Sequence, residues 1–140
     1  MTRRSRAREV ALQLLFQHDV NTKAVPRPAI EKFARDRLRD PEAETFALAL
    51  YDGVLKNRTA IDESIVKTAQ NWRLNRMNPS DRNVLRLGIF ELLHATTAEP
   101  LAAILNEAIE LARRYGSEDS PAFVNGILDA VAKTPPAAGA

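Results

Sequence analysis

Arg3, Arg4, Arg6 and Arg8 put four guanidiniums among the first eight residues, and no acid precedes Glu9. Like charges this close repel one another until an anion arrives. The arginine fork matches a phosphate with two parallel hydrogen bonds, and its plane stacks on unpaired bases, so nucleic acid is the anion that these residue types suit. If a helix reaches back to them, Arg4 and Arg8 share one face. A solubilising, solvated terminus is the competing explanation. A second chemistry-bearing stretch is Phe123-Val-Asn-Gly126. Asn125 and Gly126 are poor residues for a helix interior, and Phe123 stands about 100° from Val124, at the edge of an apolar stripe. An edge phenylalanine beside an amide can stack on and hydrogen-bond a splayed base. It can equally be a boundary core residue, with Asn125 bonded to a neighbouring loop. Phe16 poses the same choice, off its helix's stripe and two turns beyond Arg8.

Other chemistry is sparse. His18 and His94 are isolated, with no second histidine at metal-ligand spacing, and there is no Gly-rich phosphate loop, nucleophile elbow or dinucleotide fingerprint. Glu107 and Glu110 fall on the polar face of an amphipathic segment, where solvated charge is the ordinary use. The absence of cysteine removes thiolate nucleophiles, disulfides and Cys-ligated metals, which suits a reducing, cytoplasmic compartment. The expectation is a protein without enzymatic activity, metal or cofactor.

Charge is distributed unevenly. Residues 1–39 hold 10 Lys/Arg and four acids, net +6, while residues 40–140 hold 10 Lys/Arg and 14 acids, net −4. A basic arm on an acidic body points to a polyanion for the arm. The longest apolar run, Phe46 to Tyr51, is six residues, far short of the ~18–20 of a membrane helix. The basic start lacks the apolar stretch of a signal peptide, and Glu9 with the immediate helical pattern argues against a removable leader.

The elements that must position these residues are helical. Ala7, Val10, Ala11, Leu14 and Leu15 form one stripe of a helix from about Ser5 to Asp19. After Val25-Pro-Arg-Pro28, a second helix opens near Pro28 and runs to about Leu38. A third spans Pro41 to about Lys56, with Phe46, Leu50, Gly53 and Val54 inward; a fourth runs from Arg58 to about Gln70 on Ile61, Ile65 and Ala69. Residues 71–79 read as a loop that packs Trp72 and Leu74 onto the body. Ser80 is expected to cap a helix with Val84, Leu85, Gly88, Ile89 and Leu92 inward, Gly88 marking a close crossing because glycine there costs about 1 kcal/mol. Pro100 opens a helix with Leu101, Ile104, Leu105, Ala108, Ala112 and Tyr115 inward and Glu110 paired to Arg114, ended by Gly116 in a left-handed cap. Ser120-Pro121 starts the last helix on Val124, Ile127, Leu128 and Val131. The expected fold is all-α, about seven helices in two small bundles forming one compact domain over residues 1–134. Residues 1–8 are its arm, and 135–140 a disordered tail. At 140 residues the chain can bury roughly two-thirds of its unfolded surface, enough for one core.

Five segments in order resemble the NusB family of transcription antitermination factors: Arg6 to Gln17, Asn71 to Met77, Asp81 to Leu92, Asn106 to Ala112 and Phe123 to Asp129. The resemblance extends to the Pro-rich tail. It implies two helical bundles and a role in binding boxA of nascent rRNA transcripts, together with the small-subunit ribosomal protein that acts as NusE, within the RNA polymerase antitermination complex. It also carries RNA contact to Arg4, Arg6 and Arg8, with Arg3 beside them, and to Phe16, Asp119 and Phe123; Asn125 is a candidate base reader. Ser5 interrupts the arginine run of some members, which implies fewer phosphate contacts. The partner protein would face Arg76, Asp81 and Arg82. Three or four arginines on single-stranded RNA predict a salt slope of roughly −2 to −3. The competing readings are a helical protein-protein scaffold and a targeting domain related to rRNA methyltransferases, although these 140 residues hold no cofactor-binding domain. A helix-turn-helix DNA binder needs a basic recognition helix, and none is evident after residue 40.

Overall fold

The computed structural model describes residues 2–70, 73–95 and 99–134, which form seven α-helices and one 3₁₀ turn with no strand among them. The expected packing of Trp72 and the expected tail lie outside the described residues.

Helix α1, Arg3–Val20, begins two residues earlier than its apolar stripe suggested, because the Thr2 hydroxyl accepts from the Ser5 amide at 3.0 Å and caps it. The arginines expected on an arm are therefore its first turns. Its stripe of Ala7, Val10, Ala11, Leu14 and Leu15 is buried as predicted. Helix α2, Arg27–Leu38, ends where Arg39 turns left-handed at φ 51°. Asp40 caps α3, Pro41–Lys56, through the Glu42 amide at 3.1 Å. Helix α4, Arg58–Thr68, follows at once and stops short of Gln70. The connection beyond it carries the 3₁₀ turn η1, Leu74–Arg76.

Helix α5, Pro79–Leu93, is capped by Asn78, whose side chain accepts from the Asp81 amide at 2.8 Å, and not by Ser80. Proline at the first helical position sets that start two residues earlier than expected. Every residue of α5 from Asn83 to Glu91 is buried, more than one stripe, because this helix lies between two groups. Helices α1, α2 and α3 pack on one another; α4, α5, α6 (Leu101–Tyr115) and α7 (Ser120–Lys133) form the second group, and α5 also touches α1 and α3. Each fully buried Leu or Ile in this shared core, such as Leu85, Ile89 and Leu128, contributes about 1.5–3 kcal/mol.

Two glycines permit the crossings. A Cβ on Gly88 would lie 2.8 Å from Leu128 Cδ1, as the sequence suggested, and one on Gly53 would run into the Phe90 ring. Gly116 departs from expectation. Its backbone is extended, with φ −98°, and its missing side chain instead makes room for the buried Ser120 hydroxyl, which accepts from the Ser117 amide at 2.9 Å. Leu101 and Tyr115, expected inward, are 46% and 36% exposed, each at an end of α6.

Candidate nucleic-acid interface

Residues 5, 9, 13 and 16 lie within about 80° of one another around α1. Along this strip the contacts step down α6: Ser5 Oγ donates to Glu107 Oε1 at 2.6 Å, Glu9 pairs with Arg114, and Gln13 Nε2 donates to the Tyr115 hydroxyl at 3.1 Å. The two helices thus run in the same direction, bridged by these side chains. Glu110 pairs with Arg113, one residue short of the expected Arg114, which reaches across to α1. Phe16 lies one turn past Gln13 on the same strip. It is 39% exposed, against 2% for its neighbour Leu15, so no core role accounts for it.

Asp119 precedes α7, exposed and without a side-chain capping bond, and the Phe123 amide donates to its carbonyl at 3.1 Å. Phe123 is half-buried and packs against the core. Asn125 and Gly126 are exposed, and a Cβ on Gly126 would meet nothing within 4 Å. Packing inside this protein therefore does not require glycine at 126.

The arginines fan out. Arg6, exposed, donates Nη2 to the Arg37 carbonyl at 3.1 Å, on the α2 side of the strip. Arg3 contacts Asp40 and Glu42, each at 2.6 Å, and remains 59% exposed. Arg4, half-exposed, pairs with Glu99 and lies over the Phe46 ring at 4.7 Å. Arg4 and Arg8 do share a face, both over Phe46. That face, however, points at carboxylates supplied by the fold itself.

Arg8 corrects the expectation. It is 3% exposed, with Nε donating to both Glu91 oxygens at 3.0 Å and Nη2 to Oε1 at 2.8 Å. Burial works against its charge, yet Glu91 more than offsets this and holds the guanidinium above its ordinary value. Burial pushes the Glu91 carboxyl up, Arg8 opposes the rise, and Glu99 and Glu107 reinforce it. Arg8 clamps α1 to α5 and offers no free edge to a phosphate.

The expected partner surface divides in the same way. Arg76 is exposed on η1. Asp81 is 8% exposed, with Oδ1 buried and unbonded, and Arg82 turns inward, because the inward-facing Asp19 carboxylate and two loop carbonyls need donors. Arg82 donates to Asp19 at 2.9 and 2.5 Å and to the Leu74 and Met77 carbonyls at 3.1 and 3.2 Å. Asn83 adds a bond to Asp19 at 3.1 Å, and Arg86, 4% exposed, grips both Asp62 oxygens at 2.8 and 3.1 Å. Burial pushes Asp19 up, but the bonds from Arg82 and Asn83 hold its carboxyl below the usual value. Nearby, burial and then Arg58 push His18 down. This network ties α1, α4, η1 and α5 together, and sequence reasoning missed it. Its signal was present: Arg82, Asn83 and Arg86 interrupt an apolar helix on faces that also carry core residues.

The strip on α1, the arginines flanking it and the start of α7 complete the geometry. A model of the NusB family matches residues 5–133. The chain belongs to the NusB family. A relative from Sorangium cellulosum, named transcription antitermination protein NusB, is 48% identical over 133 residues, covering 95% of this chain and 94% of its own. The structure of T. maritima NusB is similar at TM-score 0.81 and 38% identity, covering 93% of this chain and 90% of that one. A structure of the antitermination factors NusB and NusE in complex with dsRNA contains a chain similar at TM-score 0.83 and 27% identity, covering 95% and 98%. Among the described residues no helix of this NusB-family chain is long and apolar enough to cross a membrane.

Proposed function

We propose that this NusB-family chain is a transcription antitermination factor. It binds single-stranded boxA-type RNA of nascent rRNA transcripts, together with a ribosomal protein in the NusE role, within the RNA polymerase antitermination complex. It works in the cytoplasm, as one unit over residues 1–134, and performs no catalytic step. The observation that carries this is the exposed Phe16 on the α1 strip, one turn beyond the Gln13–Tyr115 bond that ties the strip to the end of α6. Arg6 and Arg4 flank the strip and take phosphates, Arg3 adds a weaker contact, Phe16 and Phe123 stack on bases, and Asn125 reads a base edge. Asp119, acidic, does not bind phosphate; it accepts from a base amine. Arg8 holds this frame rather than the RNA. With Arg3, Arg4 and Arg6 as the available cations, the salt slope is about −2, the shallow end of the range expected from sequence. The partner's surface is the exposed side of η1, around Arg76, with Asp81 and Arg82 shaping it from beneath.

The test is an anisotropy titration of boxA-type RNA, a scrambled strand and a duplex. The proposal expects preference for the boxA-type strand, and a loss of about tenfold or more in Arg4→Ala/Arg6→Ala, titrated well below its melting transition. The internal pairing of Arg3 and Arg4 favours a second reading, a protein-protein scaffold, under which that variant binds RNA no differently from the parent.

A further inference from the structure

We propose that Glu99 is an internal stand-in for an RNA phosphate: it occupies Arg4 in the free protein, and RNA must displace it, so this carboxylate limits affinity. The inference rests on the RNA-binding reading above and adds a residue that works against binding. Glu99 lies directly before Pro100, at the entrance to α6, and its side chain is only 18% exposed. It pairs with Arg4 Nη1 and sits 3.6 Å from Arg8 Nη2. Arg8 is already matched by Glu91 through three hydrogen bonds, and Glu107 has the Ser5 hydroxyl at 2.6 Å with Arg8 no nearer than 3.9 Å. Three carboxylates therefore face two guanidiniums, and Arg4 is the principal partner left for Glu99.

The Arg4 plane covers Phe46 at 4.7 Å, so one face is taken by the ring and recognition falls to its N–H edge. Glu99 holds that edge as a phosphate oxygen would. The acids on Arg3 offer a contrast. Glu42 is 80% exposed, so water and salt screen that pair and an incoming strand exchanges with it at little cost. Glu99 is shielded, its attraction to Arg4 is screened far less, and displacing it leaves a carboxylate beside Glu91 and Glu107 with only a shared claim on Arg8.

Glu99→Gln keeps the shape and removes the competing charge. Measured with the full chain and a fluorescein-labelled single-stranded boxA-type RNA at about 0.1 M salt, it is expected to bind about five- to tenfold tighter. Its slope of log K against log salt stays near about −2, because the same three arginines meet phosphates in both proteins. Glu31→Gln on α2 makes the same change in net charge away from the strip and shifts affinity by less than about twofold. The gain disappears in Arg4→Ala/Glu99→Gln. Glu99→Ala, checked with Glu99→Gln by circular dichroism for an unchanged helical signal, gives the same direction. Affinity no better than that of Glu31→Gln, or a gain that survives without Arg4, overturns the inference while the RNA-binding reading stands. Absence of RNA binding by both the parent and Glu99→Gln overturns the two together.

Discussion

Replacing Arg8 by alanine separates an architectural arginine from an RNA-binding one. The side chains of Arg8 and Glu91 are 4% and 6% exposed, and three hydrogen bonds join them. Truncating one partner strands the other as a buried, unpaired charge, which costs about 3–5 kcal/mol. Glu99 and Glu107 stand on the same cluster, so Arg8→Ala also removes the cation they share and belongs at the upper end of that range. In a domain of this size about 3 °C of melting temperature accompanies each kcal/mol, giving a fall of roughly 10–15 °C. Replacing both members, Arg8→Met with Glu91→Leu, exchanges the ion pair for apolar packing and should recover most of the loss. Thermal unfolding followed by circular dichroism measures the first effect. RNA titration well below the transition measures the second, with affinity within about twofold of the parent. A melting temperature lowered by less than about 3 °C, together with clearly weakened RNA binding, would refute the reasoning and return Arg8 to the phosphate contacts.

Further outcomes follow from single positions. Gly126→Ala faces open space on a helix and should stabilise by about 0.5–1 kcal/mol in denaturant unfolding, yet weaken RNA binding where a base or backbone approaches closely. Gly53→Ala drives a methyl into the Phe90 ring and should destabilise by about 1–3 kcal/mol in the same assay. His18 has its pKa pushed below the ordinary value by burial and then Arg58. Its neutral form is the one the fold favours, so its contribution to stability is present above about pH 6.5 and lost as pH falls through the lowered value. His18→Gln should therefore reduce the drop in melting temperature between pH 7 and pH 5; an unchanged drop assigns it to other groups.

How far the sequence could be read depended on the kind of interaction. Helix number, the stripes of α1, α4 and α7 and the crossing at Gly88 were legible, because apolar spacing and glycine cost are properties of one segment. Phe16 was legible as an oddity for the same reason: it breaks its own helix's stripe. The fate of the arginines was not. Arg8 differs from Arg6 only in what lies opposite, and Glu91 is 83 residues away in the chain. The family resemblance carried Asp81 and Arg82 to a partner surface, which says nothing of what lies opposite them; Asp19, 63 residues distant, turns Arg82 inward. Ser80 was displaced as a cap by Asn78 because both types cap well and only the position of Pro79 decides between them. The whole N-terminal charge reads as an open cationic arm in one dimension, whereas the fold brings Asp40, Glu42, Glu91 and Glu99 to it.

The account stands or falls on where a single RNA strand lies. Ultraviolet cross-linking of the full chain to boxA-type RNA, with the modified residues mapped by mass spectrometry, addresses this directly because stacked aromatics form the adducts. Adducts at Phe16 and Phe123, lost when excess unlabelled strand competes, are the predicted result. Adducts confined to α4 and η1, with Phe16 and Phe123 unmodified, would contradict it.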